Sequence, residues 1–186
     1  VLKLCRSLTL VVSAMALLLA WGVETKAQDK TFVQVTGGIV GESTDAGHPT
    51  WIDAYALDAS VSAAFGGGGG TTTFQDVSFL KGTDKATVGL FDAIARGTNL
   101  ATVNIEVCRS TAPQQCYFKI ELTNAKLTGV DLSGSSCVGS GACTPTQTES
   151  VSFNYAKIKW TYIPFTGGSP GTPVVKCWDV VAHAGC

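Results

Sequence analysis

Apolar and polar residues alternate along much of the chain, and the longest such run is Glu149 to Pro164, ESVSFNYAKIKWTYIP. Val151, Phe153 and Tyr155 hold odd positions; the phase then slips, and Ile158, Trp160 and Tyr162 continue on even ones. Period two marks a strand with one buried face. A one-residue slip turns that face over. The run therefore predicts a long strand with a bulge at Tyr155-Ala156, or one that bends from one sheet or partner to another. At roughly fifteen residues it exceeds the usual span of about 3–10, which suits a barrel or a wall shared between subunits. It reads as the spine of an all-β domain.

The rest of the chain carries the same pattern in shorter pieces. Thr31 to Thr36 predicts a first strand, ended by Gly37-Gly38, and Ile39 to Pro49 reads as a loop. Trp51 to Val61 predicts a second strand and Thr72 to Lys81 a third. Between them stand Gly66, Gly67, Gly68, Gly69 and Gly70. A phosphate loop would need Lys-Ser/Thr and a helix directly after the glycines; threonines and a strand follow instead, so the run is a flexible connector. Val88 to Arg96 predicts the one helix, with Thr87 as N-cap, an apolar stripe of Leu90, Phe91, Ile94 and Ala95, and Gly97 as C-cap. Ala101 to Arg109 and Cys116 to Thr123 alternate cleanly about a polar connector and predict a hairpin. Ala125 to Ser133 adds a strand, Gly134 to Gln147 a loop, Phe165 to Pro173 a Gly/Pro linker and Val174 to Cys186 a terminal strand. Strands, one helix and more strands make a mainly β protein: a small barrel of two antiparallel sheets, or a two-sheet sandwich, with one short flanking helix.

Composition narrows the classes. The 186 residues suit one domain, and a net charge of -1 with 15% charged residues gives none of the basic field that nucleic-acid binding needs. Residues 1–27 have the layout of a secretory leader: Lys3 and Arg6, an apolar run from Leu8 to Ala20, then a polar stretch ending near Ala27. That run is shorter than the ~20 residues of a membrane-spanning helix, so no membrane insertion is expected after cleavage. The chain then divides into a leader (1–27), a barrel domain (28–164) and a linker with a stapled strand (165–186). Export makes the location secreted or periplasmic.

Cysteine usage agrees with export. Besides Cys5 there are Cys108, Cys116, Cys137, Cys143, Cys177 and Cys186. An even count in an exported chain points to disulfides, with fifteen pairings open. Proximity favours three local bridges, 108–116, 137–143 and 177–186, each worth no more than ~2–3 kcal/mol by loop closure. A metal site is the weaker reading, since no C-x-x-C pair occurs and the histidines are isolated.

Candidate chemistry is sparse. His48 reads as a solvated loop residue and His183 as part of the tail, with no nucleophile beside either. Asp84 and Lys85 read as turn residues ahead of the helix, and Glu149 as an edge charge that discourages wrong pairing. The chain reads as a non-enzyme without a cofactor.

Three segments together resemble the haemolysin-coregulated protein (Hcp) family, the tube protein of type VI secretion. They are Trp51-Ile52-Asp53-Ala54-Tyr55, Phe79 to Gly97 (FLKGTDKATVGLFDAIARG) and Glu149 to Pro164, in the family's order and spacing. Trp178-Asp179 is similar to an extension found in some members. The resemblance implies a barrel flanked by a helix that assembles with itself into hexameric rings and a stacked tube. It also implies effector cargo and a secretion spike as partners. The glycines at 66–70 fall about where the family has a loop that reaches the neighbouring ring. The chain departs from the family in its leader and its cysteines, which fit an exported Hcp-like protein. A self-assembling structural protein and a monomeric exported binding module on the same barrel are the two functional classes this leaves.

Overall fold

The computed structural model describes residues 28–66, 69–135 and 146–186. The leader expected over residues 1–27 and the Cys137–Cys143 pair lie outside them. The strands are β1 (Asp29–Val35), β2 (Ile52–Asp58), β3 (Val61–Gly66), β4 (Gly69–Phe74) and β5 (Val77–Gly82). Helix α1 (Ala86–Arg96) follows, then β6 (Asn99–Arg109), β7 (Gln115–Ser135) and β8 (Thr146–Tyr162). The tail holds β9 (Phe165–Thr166), β10 (Ser169–Pro170), β11 (Val174–Asp179) and β12 (Ala184–Gly185).

Hydrogen bonding runs β8-β5-β2-β1-β6-β7 and returns from β7 to β8, which closes a barrel of antiparallel strands. Closure removes free edges from the ring. The interior is filled: Val33, Ile52, Phe79, Ile105, Leu122 and Phe153 are at most 2% exposed and belong to one apolar cluster. Side chains packed this way leave no conduit through a single barrel.

The spine, β8, makes the handover its phase slip predicts. On one side it pairs with β5 through Phe153 and with β11 from Lys157 onward, while β7 lines its other side throughout. Val151, Phe153, Tyr155 and Ile158 are all buried. Opposite them, Leu122 and Ala125 on β7 make the same three-residue step, facing Ile158 and Tyr155. Both strands therefore turn a corner at one level, where Asn124 takes φ 50, a conformation asparagine tolerates better than most residues. The expected bulge at Tyr155-Ala156 is absent from this ladder; the register shift lies across the strand pair, between Leu127 and Gly129. The two strands expected at Cys116–Thr123 and Ala125–Ser133 are thus one continuous strand.

Tyr155 marks the inner corner. Its hydroxyl donates to the Gln75 carbonyl at 3.1 Å. Burial, with the Asp76 carboxylate nearby, pushes its pKa from 10.0 up to about 12. Because the folded value is raised, the stabilisation from the neutral phenol is complete below the unfolded value near 10 and is lost as pH rises towards 12. In an ultraviolet titration, Tyr155→Phe is expected to remove a late tyrosinate step near pH 12.

Two expected strands are each divided. Trp51 to Val61 breaks after Asp58, and Thr72 to Lys81 breaks at Gln75-Asp76. The helix begins at Ala86, and Thr87 is not its N-cap: Lys85 holds that position without a side-chain bond, and the Asp84 carboxylate accepts from the Ala86 N–H at 2.9 Å. Ala86, Leu90 and Ala93 are buried, while Phe91 and Ala95 face out. The inward stripe follows i, i+4, i+7 from Ala86, and α1 packs against β7. Gly97, at φ 61, ends the helix with Gly97 N–H to Ile94 O and Thr98 N–H to Ala93 O, a Schellman arrangement.

Candidate functional site

Three places outside the apolar core combine unusual geometry with named polar or aromatic groups. The first is built on the glycine run. β3 and β4 pair from Val61↔Phe74 to Gly66↔Gly69 as a separate two-stranded sheet, with the Gln75 N–H donating to Ser60 O at its base. The run is therefore the end of a hairpin and not a loose connector; Gly67 and Gly68 lie outside the described residues. Residues 61–64 and 70–73 are exposed. The base is tied down by aromatics: Phe74 stacks with Trp160 of β8 at 6.4 Å and with Trp178 of β11 at 6.1 Å. Among the described residues the arm meets the barrel at its root, and its exposed strands have little to pack against within their own chain.

The second place is a buried ion-pair network beneath α1. Lys81 on β5 and Glu149 on β8 face each other in register, and both are 0% exposed. The Lys81 ammonium donates to Glu149 Oε2 at 2.8 Å and to Gly82 O at 2.7 Å, and lies 2.7 Å from Asp84 Oδ1. Thr87 Oγ1 donates to Glu149 Oε1 at 2.7 Å and accepts from the Asp84 N–H at 3.1 Å. Glu149 is thus no edge charge, because β5 and β7 flank it on both sides. Burial pushes its carboxyl upward, but the bonds from Lys81 and Thr87 outweigh that and hold it below the usual value. The network clamps the first turn of α1 to the end of the barrel.

The third place surrounds His48. The loop before β2 folds back on itself through Gly41 N–H to Thr50 O at 2.8 Å and Ser43 N–H to Trp51 O at 2.9 Å. This lays His48, 4% exposed, flat on Phe32 with ring centroids 4.1 Å apart, and the Trp51 ring closes its edge at 4.8 Å. The expected solvated histidine is therefore a buried one. Nδ1 lies 3.0 Å from Asp45 Oδ1, and Nε2 lies 3.2 Å from Glu106 Oε2. Glu106 Oε1 accepts from Lys119 at 2.8 Å, and Asp45 Oδ2 accepts from Gln114 Nε2 at 3.0 Å. Beside Nε2 stand Cys108 and Cys116, opposite each other on β6 and β7 and at disulfide distance. Cys177 and Cys186 also meet at disulfide distance in the tail. His183 sits at the turn between β11 and β12, exposed.

The family model described as "Type VI secretion system effector, Hcp" matches residues 32–162. The chain belongs to the Hcp family. Solved structures carry the same fold. One described as a type six secretion system protein superposes with TM-score 0.75 at 21% identity, covering 86% of this chain and 100% of its own. Hcp1 from Salmonella typhimurium gives 0.67 at 22%, covering 85% and 99%. The secreted protein Hcp3 from Pseudomonas aeruginosa gives 0.60 at 20%, covering 82% and 98%. A search of curated proteins gave no match. The Hcp match begins inside β1 and ends with β8, so the closed barrel, the hairpin, α1 and the Lys81–Glu149 network all lie within it, and the short strands β9 to β12 lie beyond it. No described helix is long and apolar enough to cross a membrane.

Proposed function

We propose that this Hcp-family chain is a structural subunit that assembles with itself into hexameric rings, and that the β3–β4 hairpin stacks one ring on the next. The observation that carries the proposal is the hairpin itself: a separate sheet standing off a closed barrel, rooted by Phe74 and exposed at residues 61–64 and 70–73. Exposed pairing groups of this kind are a template for another chain. The filled barrel interior supports the same reading, since cargo can travel only through a lumen enclosed by several subunits. Small effectors in that lumen and a spike at its end are the partners the reading assigns.

Export by the leader at 1–27 places the assembly in the periplasm or outside the cell, where the pairs 108–116, 137–143 and 177–186 close as disulfides. A type VI machine carrying a tube built inside the cell would need no such leader. Negative-stain images of the purified oxidised protein test the assembly: end-on rings with a central hole support it, and isolated small particles count against it.

A specific feature favours a second reading, a monomeric exported binding module. β11 covers β8 from Lys157 to Tyr162, with Cys177 and Cys186 joining that strand to the chain end. A tail that occupies this edge removes one pairing surface from any neighbour. The open groove of about 460 Å³ between β1, β2 and the 43–45 segment, rimmed by Tyr55, would then be the ligand site.

A further inference from the structure

Four metal-ligating side chains from two strands and a loop meet beneath the His48 loop. Glu106 and Cys108 come from β6, Cys116 from β7 and His48 from the loop before β2, and their ligand atoms all lie within 4.8 Å of one another. His48 Nε2 is 3.2 Å from Glu106 Oε2 and 3.9 Å from Cys116 Sγ. We propose that these residues form a redox-gated zinc site. With the cysteine pair oxidised it is a disulfide; with the pair reduced it holds one zinc ion through Cys108, Cys116, His48 and Glu106.

Three features argue for the ion. Zinc takes thiolate, imidazole and carboxylate ligands at about 2.0–2.3 Å in a tetrahedron, so its ligand atoms stand roughly 3.3–3.8 Å apart. The imidazole–carboxylate and imidazole–sulfur separations already bracket that range, every other pair of ligand atoms lies within 4.8 Å, and the two sulfurs must part, as they do when their bond is cut. Orientation is also fixed. His48 Nδ1 bonds to Asp45, which Gln114 and the Gly47 N–H hold in turn; this carboxylate–histidine arrangement aims Nε2 at a metal. Finally, a carboxylate only accepts, so Nε2 and Glu106 Oε2 require a positive centre between them. A hydrogen on Nε2 supplies one in the oxidised state, and zinc takes its place in the reduced state. Lys119 occupies the other Glu106 oxygen and leaves Oε2 for the ion.

The exchange balances with a dithiol as reductant. A dithiol thiolate attacks Cys116 Sγ, since Cys116 is partly exposed and Cys108 is 0% exposed. Cys108 leaves as thiolate, and the second thiol of the reductant then displaces Cys116 and closes into the reductant's own disulfide. The pair has gained two electrons and two protons; zinc binding releases those two protons together with the Nε2 proton that the ion displaces. A disulfide oxidant reverses the electron transfer and expels the ion. The same fold would then be cross-linked by metal in a reducing compartment and by sulfur in an oxidising one. This holds whether or not the chain forms rings.

Cobalt(II) is the probe. The full chain is reduced with dithiothreitol, freed of reductant without air and titrated with Co²⁺. The expected result is one equivalent bound, with the visible bands of tetrahedral cobalt and thiolate-to-cobalt charge transfer in the near ultraviolet, displaced by Zn²⁺ and absent from the oxidised protein. Cys177→Ser/Cys186→Ser should keep the signal and Cys108→Ser/Cys116→Ser should lose it. His48→Gln should weaken binding about tenfold or more. Zinc should also shield Cys108 and Cys116 of the unaltered reduced chain from alkylation, read by mass spectrometry, which needs no variant to fold. The proposal is overturned by a reduced chain that gives no tetrahedral spectrum, folded or unfolded, by a spectrum that survives Cys108→Ser/Cys116→Ser, or by alkylation at these two cysteines that zinc does not slow.

Discussion

Glu149→Ala is expected to cost about 3–5 kcal/mol of folding stability, because it takes the buried carboxylate away from the fully buried Lys81 ammonium. Asp84 and the Gly82 carbonyl remain to Lys81, which keeps the loss from running higher. Against a total of about 5–15 kcal/mol for a domain, this is a large fraction. The double replacement Lys81→Met/Glu149→Leu is expected to recover most of it, since a well-packed apolar pair often equals a buried ion pair. Urea unfolding of Glu149→Ala checks the first statement, and unfolding of Lys81→Met, Glu149→Leu and the double variant checks the second through a double-mutant cycle. The pH dependence has a fixed sign. Glu149 is held below its usual value when folded, so its contribution is fully present above the unfolded carboxylate value and is lost as pH falls through the folded one. Glu149→Gln should therefore flatten the acid limb of the stability curve. A wild-type-like acid limb in that variant would contradict the account of the network.

Replacing residues 62–73 with Asn-Gly is expected to abolish stacking while leaving the barrel folded. Val61 and Phe74 already face each other as a cross-strand pair, so a two-residue type I′ turn closes the shortened arm without disturbing its root. Phe74 is kept, and with it the stacking on Trp160 and Trp178. The measurement is the length distribution of particles in negative stain beside the thermal melt. Short rings with an unchanged melt are the expected result; long stacks of the shortened protein would remove the hairpin from the assembly.

The parts of the fold legible in the sequence are those in which neighbours along the chain share an environment. The slip between Tyr155 and Ile158 reported a real corner because both residues turn into one barrel. The 108–116 hairpin was legible for the same reason, its two halves being adjacent in sequence and in the sheet. Contacts across long separations were not legible. Glu149 looks like an edge charge until β5 and β7 are placed on either side of it, and its partner Lys81 lies 68 positions away. His48 looks solvated because the residues that bury and bond it, Phe32 and Glu106, belong to other strands; its only local signal was Asp45 three positions earlier. Thr87 has the composition of a cap, yet the buried carboxylate of Glu149 claims its hydroxyl. The glycine run hides its strands for a different reason. Local flexibility forbids a packed core but not strand pairing, and Val61 and Phe74 set the register from outside the run.

The most direct test of assembly is the mass of the oxidised protein in solution, by sedimentation velocity over a wide concentration range. The expected result is a species at the mass of a hexamer, or larger multiples of it as rings stack, persisting on dilution. A single monomeric species at the highest concentration would contradict it. The covered β8 edge and the groove beside Tyr55 would then carry the function.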